Sequence, residues 1–378
     1  MGGPIVKRRE LGEKLRAGAL ARRDVNKLII ATGATLLAAP YIVRRAQAAP
    51  ADQPMYFGWS GYDDPNLWVA YKEKFGELPR FTFFGDEEEG IAKMVAGFKP
   101  DVVNPCSYNI EKWWSAGLLE EIDVSRLKHW PDIIDSLKTL GATMVNGKHV
   151  AVPVDWGQTS VTYRTDLAPE YVNKESYEIL WDPKYKKRVA VFDSLIDGVS
   201  IAAIMAGVDP FKYTDDSIAK TKKKLEELAQ NVLYFSNDTT TMEQALASGE
   251  LVAATTWNDS WNRLKKQGLK VRFMDPKEKR ETWVCNFCIA KGTKLRDRSH
   301  DMIDAFLDPR SRVWEMENMS YGGSTKAGFA KMTDQELADA GLTRDPEKFL
   351  KSGIFQSPIE NQPKLEAMFN EVKASMGQ

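Results

Sequence analysis

Between Thr282 and Ala290 the chain reads Thr-Trp-Val-Cys-Asn-Phe-Cys-Ile-Ala, a run of β-branched, aromatic and small apolar side chains. A charged stretch, residues 277–281, precedes it and Lys291-Gly292 follows. Such a run predicts a strand buried on both faces, as in the middle of a parallel or mixed sheet. Alternation sets Trp283, Cys285, Phe287 and Ile289 on one face and Val284, Asn286 and Cys288 on the other. Cys285 and Cys288 have the spacing of redox and zinc motifs. Residues three apart in a strand face opposite ways, so packing is expected of both.

The same reading extends to the rest of the chain. Residues 55–59 and 80–84 predict strands, each leading into a helix, over 66–75 and 91–97. Asp64-Pro65 suits the start of the first helix. Glu87-Glu88-Glu89 precede the second, where acids complement the helix dipole and stand close to a strand end. A third strand, 101–104, ends at Pro105 before a helix containing Trp113-Trp114. This strand–loop–helix rhythm predicts an open sheet with ligands at the carboxyl ends of its strands. Residues 149–153 lead to Asp155-Trp156-Gly157 and a strand over 160–164, which marks a crossing into a second unit. There, strand 188–192 is followed by Asp193 or Ser194 as the cap of a helix over 199–206. Asp197, in the same turn, either serves the helix dipole or projects into a crevice. Helix 215–230, strand 231–235, helix 239–248 and strand 251–256 complete the unit, which ends in Trp257-Asn258-Asp259-Ser260-Trp261.

The chain has 378 residues, enough for two α/β domains. Its net charge of -1 hides an asymmetry: residues 1–49 carry ten Lys/Arg against three Asp/Glu, leaving the remainder at about -8. An acidic body argues against a nucleic-acid partner and suits a cationic ligand. His129, His149 and His300 are scattered, and no Gly-rich phosphate loop, G-x-S-x-G or H-E-x-x-H motif occurs. No catalytic residue, cofactor or metal is therefore expected. Near the N-terminus, Arg22-Arg23 precede an apolar run over 28–43, interrupted by Gly33 and Pro40, and Ala46-Gln47-Ala48 follows. These features predict a twin-arginine export signal over 1–48, cleaved near Ala48. A retained anchor is the alternative, although the run is short for about 30 Å of hydrocarbon.

Several landmarks occur in a telling order: Tyr56-Phe57-Gly58-Trp59, Asp101 to Pro105, Trp113 to Leu119, Val152 to Gly157, Leu180 to Lys186 and Gly249-Glu250. In order and spacing the chain resembles the periplasmic spermidine/putrescine-binding proteins, the solute receptors of polyamine ABC importers, over about Met55 to Lys373. The resemblance implies an α/β, two-lobed periplasmic-binding-protein fold of type II. Each lobe would be a mixed sheet flanked by helices, with hinge crossings between lobes that close on ligand. Lobe one would comprise 49–158 and 285–334, lobe two 159–284 and 335–378.

The family's ligand contacts fall on Trp59, Ser60, Tyr62, Tyr108, Asp197, Asn237, Trp257, Trp283, Tyr321 and Gln356. Aromatic rings would sandwich an alkyl chain and face its ammonium groups, while carboxylates bind the amine ends. The chain departs from the pattern at three places. Cys285 stands where the family has an amine-gripping acid, Ser194 stands where it has another, with Asp193 adjacent, and Asp197 is a shorter acid than the family's. Asp155 and Asp259 are the neighbouring acids available to compensate. The resemblance thus implies a periplasmic monomer delivering a small amine-containing solute, such as spermidine or putrescine, to ABC permease subunits in the inner membrane. A zwitterionic amino-acid or sugar-amine ligand, a sensory receptor and, least in keeping, an enzyme on a similar scaffold are the other readings.

Overall fold

The run at Thr282 folds as the strand Glu281–Ile289, buried at every position. It lies in the sheet of a computed structural model that describes residues 53–140 and 143–376. The expected export signal over 1–48 lies outside the described residues. In chain order the strands begin with β1 (Met55–Gly58), β2 (Arg80–Phe83), β3 (Val102–Val103), β4 (Met144–Val145), β5 (Lys148–His149) and β6 (Val152–Arg164). They continue with β7 (Val189–Val191), β8 (Tyr234–Phe235), β9 (Ala253–Trp257), β10 (Val271–Phe273), β11 (Glu281–Ile289), β12 (Gly322–Gly323) and β13 (Ile354–Phe355).

One mixed sheet runs β2-β1-β3-β11-β6-β9-β7-β8, with β10 and β12 against β6 and β13 against β11. At one end β1 is parallel to β2 and β3; at the other, β7 is parallel to β8 and β9. The long antiparallel pair β6–β11 joins these halves. Residues 152–159 of β6 face β11, while Thr159–Tyr163 face β9, so β6 passes from one half of the sheet to the other near Thr159. The Asp155-Trp156-Gly157 segment is thus part of one continuous strand rather than a break between two.

The apolar cores divide at the same place. Val154 and Trp156 pack with Tyr56, Trp68, Phe287 and Phe306, whereas Val161 and Tyr163 pack with Tyr177, Val189 and Leu225. The expected second-lobe segment 335–378 itself divides by packing. Leu337, Leu342 and Leu350 join the Trp156 cluster, and Leu365 and Phe369 of the helix Gln362–Ser375 join the Val161 cluster.

Two local differences from the sequence reading matter for the site. The helix expected over 91–97 begins four residues earlier, at Glu87, because Asp86 accepts the Glu89 N–H and caps it. Such a cap is worth about 1 kcal/mol. The polar stretch after β9, to which the sequence reading assigned no element, is the helix Asn258–Lys266, which carries Asp259 and Arg263 one turn apart. Gly157 has a steric reason. A Cβ there would lie 2.6 Å from Cζ2 of Trp283, so glycine lets that indole rest on the β6 backbone.

Candidate functional site

The loops that leave β1, β3, β7, β8 and β9 meet over the junction of the two sheet halves and enclose a cleft. It consists of two adjoining cavities, of about 280 and 250 Å³, which share Trp59, Tyr108, Asp197 and Trp257. Trp59 follows β1, Tyr108 sits in the turn Ser107–Asn109 after β3, and Asn237 follows β8. Trp257 ends β9, and Asp197 lies in the turn Leu195–Val199 after β7. Each stands at the carboxyl end of a strand, the position expected for ligand contacts in an open α/β sheet.

Aromatic rings form the walls. Trp59 meets Trp257 edge to face with centroids 5.7 Å apart, and Trp257 stacks on Phe192 at 4.7 Å. Farther along, Trp283 meets Tyr321 at 5.0 Å. Asp197 lies at the seam between the cavities. Its Oδ1 accepts from Thr159 Oγ1 at 2.7 Å and from Gln356 Nε2 at 2.8 Å, and the Trp257 indole also hydrogen-bonds it. Burial raises the Asp197 pKa, against these hydrogen bonds. Among the described residues it has no cationic partner.

One cavity is acidic. Asp86, Glu87, Glu88, Asp193, Asp197 and Glu366 line it, with Lys373 as its basic side chain. Lys373 is paired with Asp193 at 2.6 Å, and Glu88 is paired with Lys112 at 2.6 Å. Asn237 Nδ2 donates to the Asp193 carbonyl at 2.9 Å and fixes that turn. Glu87 accepts from the Cys106 N–H at 2.9 Å and from Trp113 Nε1 at 2.7 Å. Burial nonetheless pushes its carboxyl up to about 7, so its charge changes near neutral pH.

The other cavity holds Ser60, Tyr62, Asp259, Trp283, Cys285, Tyr321 and Gln356 beside the shared residues. Asp259 is not free there, because Oδ2 lies 2.8 Å from Arg263 Nη1 and Oδ1 accepts the Ser260 N–H. The Tyr321 hydroxyl also hydrogen-bonds Asp259. Arg263 holds Glu243 as well, at 2.6 Å.

Cys285 is not a packed thiol as expected; it forms a disulfide with Cys106 that faces this cavity, while Cys288 is free and buried. The bridge closes 179 residues of chain, worth on the order of 5 kcal/mol in the chain-entropy account. The indole Nε1 atoms of Trp59 and Trp283 are buried without a hydrogen-bond partner.

Thirteen of the fourteen expected residues therefore line the cleft, and Asp155 does not. Asp155 lies behind Tyr62, whose hydroxyl donates to its Oδ2 at 2.5 Å, and burial raises its carboxyl to about 6. It belongs to a buried group with Glu315 and Arg312, the latter also donating to the Val154 carbonyl. Sequence reasoning missed Cys106, Arg263, Thr239, Thr240 and Lys373, none of which stands in a motif. Glu87 carried a signal in its acidic triplet, but its depth did not show.

The sequence profile of the bacterial extracellular solute-binding proteins matches residues 82–336. The spermidine/putrescine-binding periplasmic protein of Salmonella typhimurium is 22% identical over 351 residues, spanning 92% of this chain and 97% of that protein. A putative spermidine/putrescine ABC transporter structure from Listeria monocytogenes superposes with a TM-score of 0.74 at 18% identity, covering 87% of this chain and 99% of that one. The binding protein MotA of A. tumefaciens B6, in complex with glucopine, gives 0.71 at 15% identity over 85% and 99% of the two chains. With the mixed sheet, its two halves and the cleft between them, these matches establish a two-lobed α/β fold. The chain belongs to the bacterial extracellular solute-binding proteins.

Proposed function

We propose that this chain is the exported receptor of an ABC importer and captures a small ammonium-bearing solute by closing two lobes over it. One lobe comprises residues 53–158 together with 285 to about 350, and the other 159–284 with the helix Gln362–Ser375. This division follows the apolar clusters on either side of Thr159. The observation that carries the reading is Asp197, a carboxylate 5% exposed, without a cationic partner among the described residues, beside Trp257 and close to the Trp59 and Tyr108 rings. An isolated buried carboxylate costs several kcal/mol, and an ammonium group between aromatic faces offsets that cost by charge pairing and cation–π contact. The curated relatives bind spermidine and putrescine by name, so these amines are the first to try. The Cys106–Cys285 disulfide supports a place outside the cytoplasm, where disulfides persist.

Chain recovered from the periplasmic fraction should begin near Ala49 and shift its tryptophan emission and melting temperature with an amine ligand. At a hundred times its dissociation constant such a ligand adds about 2.7 kcal/mol. A flat response to polyamines, amino acids and amino sugars alike would remove the receptor reading.

A further inference from the structure

One carboxylate along the cleft has its oxygens turned to the protein. Glu87, the first residue of the helix Glu87–Val95, is 2% exposed and is met by donors from the elements that follow β3. Besides the Cys106 N–H on Oε1 and the Trp113 indole N–H on Oε2, the Tyr108 and Asn109 side chains hydrogen-bond it. Four donors thus converge on one carboxylate, and three of them belong to residues 106–109. Two of those residues, Cys106 through its disulfide and Tyr108 through its ring, line the cleft. Close packing keeps the helix within reach, since a Cβ on Gly90 would lie 2.9 Å from Phe84 and 3.0 Å from Trp113. From the opposite side the same segment is tied to β11. Besides the disulfide, the Asn286 N–H donates to the Pro105 carbonyl at 2.8 Å and Asn286 Nδ2 to Ser107 Oγ at 3.1 Å. The Tyr108 ring therefore stands where β11 and Glu87 together hold its turn.

We infer that Glu87 is a positioning residue for the ligand, holding the Tyr108 turn in full only as a carboxylate, so that amine binding draws a proton off it. The inference rests on the receptor reading and adds to it the residue that couples ligand capture to pH. An ionised carboxylate has lone pairs for all four donors. A carboxylic acid brings an O–H of its own and must give up a donor or find a further acceptor. Burial keeps the proton on up to about pH 7, so both forms are populated near neutrality. A cation in the acidic cavity favours the ionised form, and by linkage loss of the proton favours the cation. The charges around Glu87 do not pre-empt this. On its own helix Glu88 is held by Lys112 and Glu89 by Lys93, and the neighbouring Asp86 is a further acid. β11 brings the Cys288 thiol, which the Glu87 charge helps push up, and Tyr108 feels Asp197 as well as Glu87. Across the cavity Lys373 is held by Asp193, and Glu366 is the remaining acid. Glu87 itself has no salt-bridge partner among the described residues, which leaves the ligand as the cation that ionises it.

Two measurements on the intact protein test this. In nitrogen-15 correlation spectra the Cys106 amide and the Trp113 indole N–H should move together with pH, with one midpoint near 7. Saturating 1,4-diaminobutane should lower that midpoint by at least one pH unit. Calorimetry with the same diamine, whose two ammonium groups stay charged over this range, should show affinity rising about fivefold from pH 6 to pH 8. Glu87→Gln should remove the shared midpoint and most of the rise in affinity. Trp113→Phe takes one donor away, should raise the midpoint of the Cys106 amide, and serves where Glu87→Gln does not fold. Resonances that do not titrate, or a Glu87→Gln chain that keeps the wild-type slope of affinity against pH, would overturn the inference while the receptor reading stands. A chain that binds neither this diamine nor spermidine at any pH would take down the amine reading and the inference with it.

Discussion

The two cavities of the cleft draw on the same repertoire of aromatic rings, carboxylates and a few basic side chains, yet they differ in what is left unpaired. In the acidic cavity Lys373 and Lys112 occupy Asp193 and Glu88, and among the described residues Asp86, Glu87, Glu366 and Asp197 have no salt-bridge partner. In the disulfide cavity Arg263 occupies Asp259, and among the described residues the Trp283 indole N–H is buried without a hydrogen-bond partner. A binding site is thus defined by the hydrogen-bonding capacity that remains after internal pairing, and a list of its lining residues does not reveal it. Counting carboxylates alone would make both cavities look ready for an amine.

The most direct way to break this contrast is at its seam. Asp197→Asn keeps the shape and removes the charge, and it should weaken any amine ligand by a hundredfold or more in calorimetry. Removing one member of a buried ion pair costs about 3–5 kcal/mol. A loss below fivefold would place the ammonium elsewhere along the acidic wall.

The next effect concerns stability. The folded chain keeps a proton on Glu87 up to about pH 7, which the unfolded chain gives up at the ordinary carboxylate value of 4.5. Stability from this group is present in full at low pH and is lost as pH rises through that window, by on the order of 3 kcal/mol. Asp155, raised to about 6, adds loss of the same sign. Urea unfolding at pH 5 and pH 8 should show the fall, and Glu87→Gln should flatten part of it. An unchanged pH profile in that variant would separate Glu87 from the effect.

The smallest effect tests what the cavities share. Trp257→Ala should weaken amine binding about tenfold, since it removes a cation–π face worth roughly 0.5–2 kcal/mol and a hydrogen bond to Asp197. Unchanged affinity would mean that the ligand does not touch the dividing wall.

Much of this arrangement was legible in the sequence. The apolar run at Thr282 predicted the buried central strand, because a strand covered on both faces leaves a continuous apolar record. The helix expected over 239–248 has those bounds in the structure, with Asp238 as its cap and Gly249 behind it. The resemblance carried Trp59, Tyr108, Asp197 and Trp257 to one place, since each sits where a strand ends and family spacing is kept at such ends. The exceptions share a cause. Asp155 was expected as a neighbouring acid available to compensate, but Tyr62, Arg312 and Glu315 enclose it within the core, and none of them is near it in sequence.

The amino-acid sequence by itself determined the periodicities, the caps and the loops at strand ends, because these depend on residues a few positions apart. Only the tertiary structure decided which groups pair. Cys106 meets Cys285 across 179 positions, because antiparallel pairing of β3 with β11 brings the start of the Tyr108 turn beside the middle of that strand. Arg263 takes Asp259 because a helix begins at Asn258, where the sequence reading assigned no element, and i to i+4 spacing then places the two side chains together. Charge and polarity in the cleft follow from those pairings, and pairing is a property of distance in space.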